Sequence, residues 1–119
     1  MVFFLCGESM SKEMVINGIE FECKEFDEKI ESYVRDLASK YNSAVERIVD
    51  YMRDDDEFMV FYGNIGKEGL TKSLNLPKIR VFPGYGIIEY LNHTLDDEHI
   101  ISLEFTNVFE NLSYLAIDG

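Results

Sequence analysis

Residues 86–105 read GIIEYLNHTLDDEHIISLEF, and their patterning decides the fold. In His99–Phe105, Ile101, Leu103 and Phe105 alternate with Ser102 and Glu104. That two-residue period belongs to a strand with one face buried. Gly86–His93 reads as the strand before it, with Thr94–Glu98 as the polar loop between them. Towards the C-terminus, Asn111–Ile117 (NLSYLAI) reads as one more strand. Towards the N-terminus, Ile79–Phe82 is a short strand turned by Pro83-Gly84. Consecutive strands joined by short loops predict an antiparallel meander.

Upstream the period changes. Phe26, Ile30, Val34, Leu37 and Tyr41 recur at spacings of three and four, the apolar stripe of a helix, with Asp27 placed to cap its start. Asn42-Ser43 interrupts. Ser43 followed by Glu46 matches a capping box, which predicts a second helix burying Val45, Ile48, Val49 and Met52. Residues 54–63, DDDEFMVFYG, suit either a short helix capped by Asp54 or Asp55 or an aromatic, β-branched strand; Gly63 at the end favours the helix. Gly66–Leu76 reads as loop plus a helical turn stopped before Pro77. Asn17-Gly18 within MVINGIEFE (14–22) predicts a small hairpin. Residues 1–10 read as a short first strand or an appended leader, with Met10 and Met14 as alternative starts; the apolar run Val2–Leu5 is too short for a secretory signal or a membrane span. The expected architecture is α+β: a helical N-terminal half packed on a C-terminal antiparallel β-meander, in a single domain over residues 1–119.

Charge is the most informative bulk property. Asp and Glu total 23 against 11 Lys and Arg, a net of −12. Such a surface repels nucleic-acid phosphates and anionic membranes and draws in basic proteins. The densest runs are Asp54-Asp55-Asp56-Glu57 and Asp96-Asp97-Glu98, with Glu110 further on. They are candidate contacts for a partner's Lys and Arg; they equally suit helix N-termini and solvated loops. Tyr85 and Tyr90 join them as candidate contacts, because Tyr offers apolar area and a hydroxyl together. Of Tyr85, Tyr90 and Tyr114, core packing is expected for at least two.

Motifs for catalysis are missing. No G-x-S-x-G nucleophile turn occurs, and GNIGKEG (63–69) is not followed by the residues of a phosphate loop, so Lys67 is not read as a phosphate ligand. His93 and His99 flank Asp96-Asp97 at irregular spacing and read as strand-end histidines of a polar loop, not a metal site. Cys6 and Cys23 fit no ligand spacing and read as reduced thiols. No cofactor and no metal are expected.

The segments GIIEYLNHTLDDEHIISLEF and FENLSYLAIDG resemble those of small bacterial immunity proteins, which accompany polymorphic toxins, including those of contact-dependent growth inhibition systems. The resemblance covers the last third of the chain. It implies a cytoplasmic protein that binds one cognate toxin tightly and blocks it. The sequence does not settle the oligomeric state, and a monomer is favoured. Such toxins are commonly nucleases, and basic because they hold nucleic acid. The resemblance transfers no binding residue. Two other classes stay open: a small enzyme with an acid/base pair, for which His93 and His99 are the first residues to inspect, and a self-associating interaction module.

Overall fold

The computed structural model describes residues 11–119, so the expectations for residues 1–10 and Cys6 lie outside it. The elements run β1 (Lys12–Ile16), β2 (Ile19–Cys23), α1 (Glu28–Arg53), α2 (Asp56–Tyr62), α3 (Lys67–Leu74), β3 (Lys78–Phe82), β4 (Tyr85–Tyr90), β5 (Ile100–Thr106) and β6 (Asn111–Asp118). The class is α+β, and the C-terminal strands form the expected antiparallel meander.

The sheet is larger than the meander. Asn17 and Gly18 both take positive φ, as a two-residue hairpin turn requires. The resulting β1–β2 hairpin does not stand alone: β2 pairs with β3 in parallel, giving six strands in the order β1-β2-β3-β4-β5-β6. The parallel pair needs a crossover connection, and all three helices lie within it. Pattern reading finds strands but not partners, so this parallel pairing adds the hairpin to the expected meander.

A correction concerns the break at Asn42-Ser43. One helix runs through it, from the Asp27 cap, whose side chain accepts from the Ile30 N–H, to Arg53. The Ser43 hydroxyl donates back to the Lys40 carbonyl at 3.0 Å, so it caps nothing. Ile30, Val34, Leu37, Tyr41, Ala44, Ile48 and Met52 are all buried and never leave the spacing of three and four. A stripe that keeps its phase across a polar pair marks one helix.

The stripe covers one face of the sheet. Register aligns Phe21, Ile79, Ile88 and Leu103 across β2 to β5, all fully buried. A second row runs Cys23, Val81, Gly86, Phe105. Gly86 is required there: a Cβ would lie 2.5 Å from the Phe105 ring and 2.6 Å from the Arg80 carbonyl oxygen. The opposite face carries Glu20, Glu22, Lys78, Arg80, Glu89 and Glu104, with Glu22 bridging Lys24 and Lys78 at 3.1 and 3.2 Å.

At one end of the sheet the β5–β6 turn is clamped to α1. Tyr33 donates to the Asn107 carbonyl, and Arg47 donates to the Phe109 carbonyl at 2.6 Å. Phe109 itself is buried with φ 59°, its ring against Phe105 and Tyr41. On β6 an extra residue opposes the Ser102–Glu104 step, a bulge with Tyr114 at φ 54°.

Within the core, the Tyr41 and Tyr90 hydroxyls bond each other at 2.5 Å. Burial pushes the Tyr41 hydroxyl up to about 12, the bond from Tyr90 opposing it. Tyr41→Phe or Tyr90→Phe should each cost about 1–2 kcal/mol, because each orphans a buried hydroxyl, and the double variant should cost less than their sum. Urea unfolding of the three variants measures this; strict additivity would contradict it. Gly86→Ala should destabilise by about 1–3 kcal/mol through overpacking against Phe105, read by the same method.

Candidate functional site

Two of the acidic runs flank α2, one at each end. Asp54 is the C-cap of α1, its N–H returning to the Asp50 carbonyl while the Asp55 N–H donates to that of Met52. Asp55 caps α2, its side chain accepting from the Phe58 N–H at 3.0 Å. Asp56 and Glu57 occupy the first turn of α2, where carboxylates are stabilised by the helix dipole. Gly63, at φ 77°, closes the helix. So the run 54–57 lies at one end of α2, and residues 56–62 are helical, as Gly63 suggested.

The other end of α2 meets the β4–β5 loop. The Tyr62 hydroxyl donates to Asp96 Oδ2 at 2.8 Å, and the Phe61 ring lies edge-on to the His99 ring with centroids 5.1 Å apart. Asp96 organises the loop. Its Oδ1 accepts from the Glu98 and His99 backbone N–H groups at 3.1 and 3.0 Å, and its Oδ2 also faces His99 Nδ1 at 2.8 Å. Partial burial works against ionisation of Asp96. The bonds from the His99 ring, the Tyr62 hydroxyl and the two backbone groups outweigh it and hold the carboxyl well below the usual carboxylate range. Tyr62 is correspondingly pushed far up, by desolvation first, then by its hydrogen bond to Asp96 and by the Asp96 charge.

His93 locks the loop from inside. It is buried, its Nδ1 accepts from the Leu95 N–H at 3.1 Å, and its Nε2 lies 2.7 Å from the His99 carbonyl oxygen. An Nδ1 that accepts carries no proton, so Nε2 holds it and donates to the carbonyl. Asn75 Nδ2 donates to the Asn92 carbonyl, and the Thr94 N–H to that of Ser73, tying the loop to the end of α3. Asp97 and Glu98 therefore stand exposed on a pinned support.

Between the two acidic ends, α2 turns apolar side chains to solvent. Val60 is 84% exposed, and Met59 and Phe61 are each 44% exposed. Only Phe58 of this helix is fully buried, with Tyr62 half-buried beside it. Periodicity reading missed this ridge, though the signal is present: FMVFY is five consecutive apolar residues, and a helix that buries positions 58 and 62 must turn 59 and 60 outward.

The remaining candidates lie elsewhere. Glu110 and Tyr85 sit at the opposite end of the sheet, Glu110 accepting from Asn107 Nδ2 at 3.2 Å and Tyr85 stacked on Phe82 at 4.9 Å. Tyr90 is fully buried and presents nothing to a partner. The expectation that at least two of the three tyrosines pack in the core does not hold, since Tyr85 and Tyr114 are exposed.

The charge around α2 is uncompensated. No Lys or Arg occurs between Arg53 and Lys67, and none follows Arg80. Among the described residues, Asp54, Asp56, Glu57, Asp97 and Glu98 enter no ion pair. No group of three or more His, Cys, Asp or Glu among those residues is placed to hold a metal ion. Recesses of about 320 and 280 Å³ lie at Asp36, Lys40 and Arg47 and at Gly18, Pro77 and Lys78; neither His93 nor His99 lines them. No described helix is long and apolar enough to cross a membrane.

The chain matches no protein-family model, no curated protein and no solved structure.

Because the Asp96 carboxyl titrates lower folded than unfolded, its contribution to stability is complete above the ordinary carboxylate range and is lost as pH falls through and below it. Asp96→Asn should lower the melting temperature at neutral pH, and the gap to the parent should close between about pH 4 and about pH 2. Thermal melts of both proteins across that range check this; a constant gap would contradict it.

Proposed function

We propose that the chain is a cytoplasmic immunity protein, of the kind that accompanies contact-dependent growth inhibition and other polymorphic toxins, and that it neutralises a cognate basic toxin by covering its active site or substrate surface. The observation that carries this reading is the placement of Asp54–Glu57 and Asp96–Glu98 at the two ends of one exposed apolar helix. A nuclease surface that grips phosphate is cationic, and an inhibitor that presents carboxylates on a fixed frame complements it. Long-range attraction brings the partners together, and desolvated contacts hold them. The uncompensated acids supply the first; the pinned β4–β5 loop and the capped α2 limit the ordering cost of the second.

The enzyme reading has one feature in its favour, the Asp96–His99 carboxylate–imidazole pair. Asp96 is already committed to four donors that shape the loop, which accounts for the pair without chemistry.

The proposal predicts a neighbouring gene for a large secreted protein with a basic C-terminal domain. Co-production of the chain with that domain should rescue growth. Their association rate should fall on the order of ten- to a hundredfold between about 20 mM and about 500 mM salt. Joint Asp54→Asn, Asp56→Asn, Glu57→Gln, Asp97→Asn and Glu98→Gln replacement should slow association at low salt with little change in dissociation, whereas Glu110→Gln alone should have a small effect. Failure to rescue growth, or an association rate indifferent to salt, would overturn the reading.

A further inference from the structure

We infer that Met59, Val60 and Phe61 form the apolar anchor by which the chain seats on a basic protein, Val60 entering an apolar recess of the partner whose rim carries lysine or arginine. The inference rests on the reading of the chain as an acidic binder and adds the surface and the mode of contact. Val60, 84% exposed on a seven-residue helix, gains little from burial in the isolated chain, and Met59 and Phe61 leave much of their apolar surface beside it in water. Interface centres are apolar and fully desolvated while their rims are polar. The same layout is present here, with a bare ridge bounded by Asp54–Glu57 at one end and Asp96–Glu98 at the other.

The ridge is also held in place. The Asp55 side chain caps α2, Arg53 Nε donates to the Ile65 carbonyl at 2.8 Å behind it, and the Tyr62–Asp96 bond fixes its far end. Phe61 is braced by Tyr62, with centroids 6.0 Å apart, and by the His99 ring. An anchor fixed before contact loses little conformational freedom on binding. The charge of the rim selects the occupant. Two copies meeting ridge to ridge would bring both sets of uncompensated carboxylates together, and an anionic lipid surface would be repelled in the same way. A cationic protein face satisfies both the ridge and its rim.

The test uses a synthetic amphipathic peptide of lysine and leucine and the same peptide with serine in place of leucine. Titration calorimetry at low salt should show the leucine form bound about tenfold or more tighter. In Val60→Asp this preference should shrink to about twofold, although that substitution adds a negative charge; attraction by charge alone would instead tighten both peptides. Val60→Ser should give an intermediate loss, and circular dichroism melts should show both variants folded. Amide shifts on adding the leucine form should centre on residues 59–61 and 96–99. The anchor is overturned if Val60→Asp leaves the preference unchanged, if the shifts centre on Tyr85 and Glu110, or if the chain forms a dimer that Val60→Asp abolishes. Equal, salt-sensitive binding of both peptides would sink the anchor and leave the acidic-docking reading standing; no binding of either would count against both.

Discussion

The parallel pairing of β2 with β3 is the constraint from which the rest of the architecture follows. Two neighbouring strands running the same way cannot be joined by a turn. The chain from residue 24 to residue 77 must leave the sheet, cross it and return, and it does so as α1, α2 and α3. The described helices thus belong to one connection, and α1 lays its buried stripe on the face that carries Phe21, Ile79, Ile88 and Leu103. The other face keeps alternating charges that pair with one another across strands. α2 lies against the β4–β5 loop at one end of the sheet, joined to it by the Tyr62–Asp96 bond.

Much of this was legible in the sequence. The alternation in His99–Phe105 and the Asn-Gly turn each specify local geometry through a steric or solvation rule acting over a few residues. What was not legible depends on partners distant in sequence. Nothing within MVINGIEFE says that Phe21 will face Ile79 across a parallel ladder. The break at Asn42-Ser43 was misread because a capping-box match is a local signal, whereas the unbroken phase of Tyr41, Ala44 and Ile48 is a longer one; the serine hydroxyl turns back to its own helix and the stripe prevails. At the candidate site, the two acidic runs were visible and their placement at the two ends of α2 was not. It depends on one phenol reaching one carboxylate 34 residues away in sequence. Tyr90 illustrates the reverse failure: its aromatic character suited a surface, but sharing the phase of Ile88 puts it on the helix-covered face, where its hydroxyl bonds that of Tyr41.

The chemistry around Asp96 links fold and surface. A carboxylate that accepts from two side chains and two backbone groups cannot leave the loop without abandoning all of them. Its charge is spent internally, while its neighbours Asp97 and Glu98 keep theirs for solvent. Adjacent acids in one short run therefore do different things: one builds the platform and the next two are displayed on it. Composition counts them alike.

The bulge on β6 has a bearing on how far the sheet extends. With Tyr114 in a left-handed conformation, the outer row of amide and carbonyl groups on β6 loses its even spacing half-way along. A foreign strand approaching that border would find its ladder interrupted after a few rungs, which disfavours growth of the sheet on the β6 side. For a chain with so few cations to place along an edge, an irregular backbone does the work that lysines do in other proteins, and makes the border less receptive without altering the charge of the molecule.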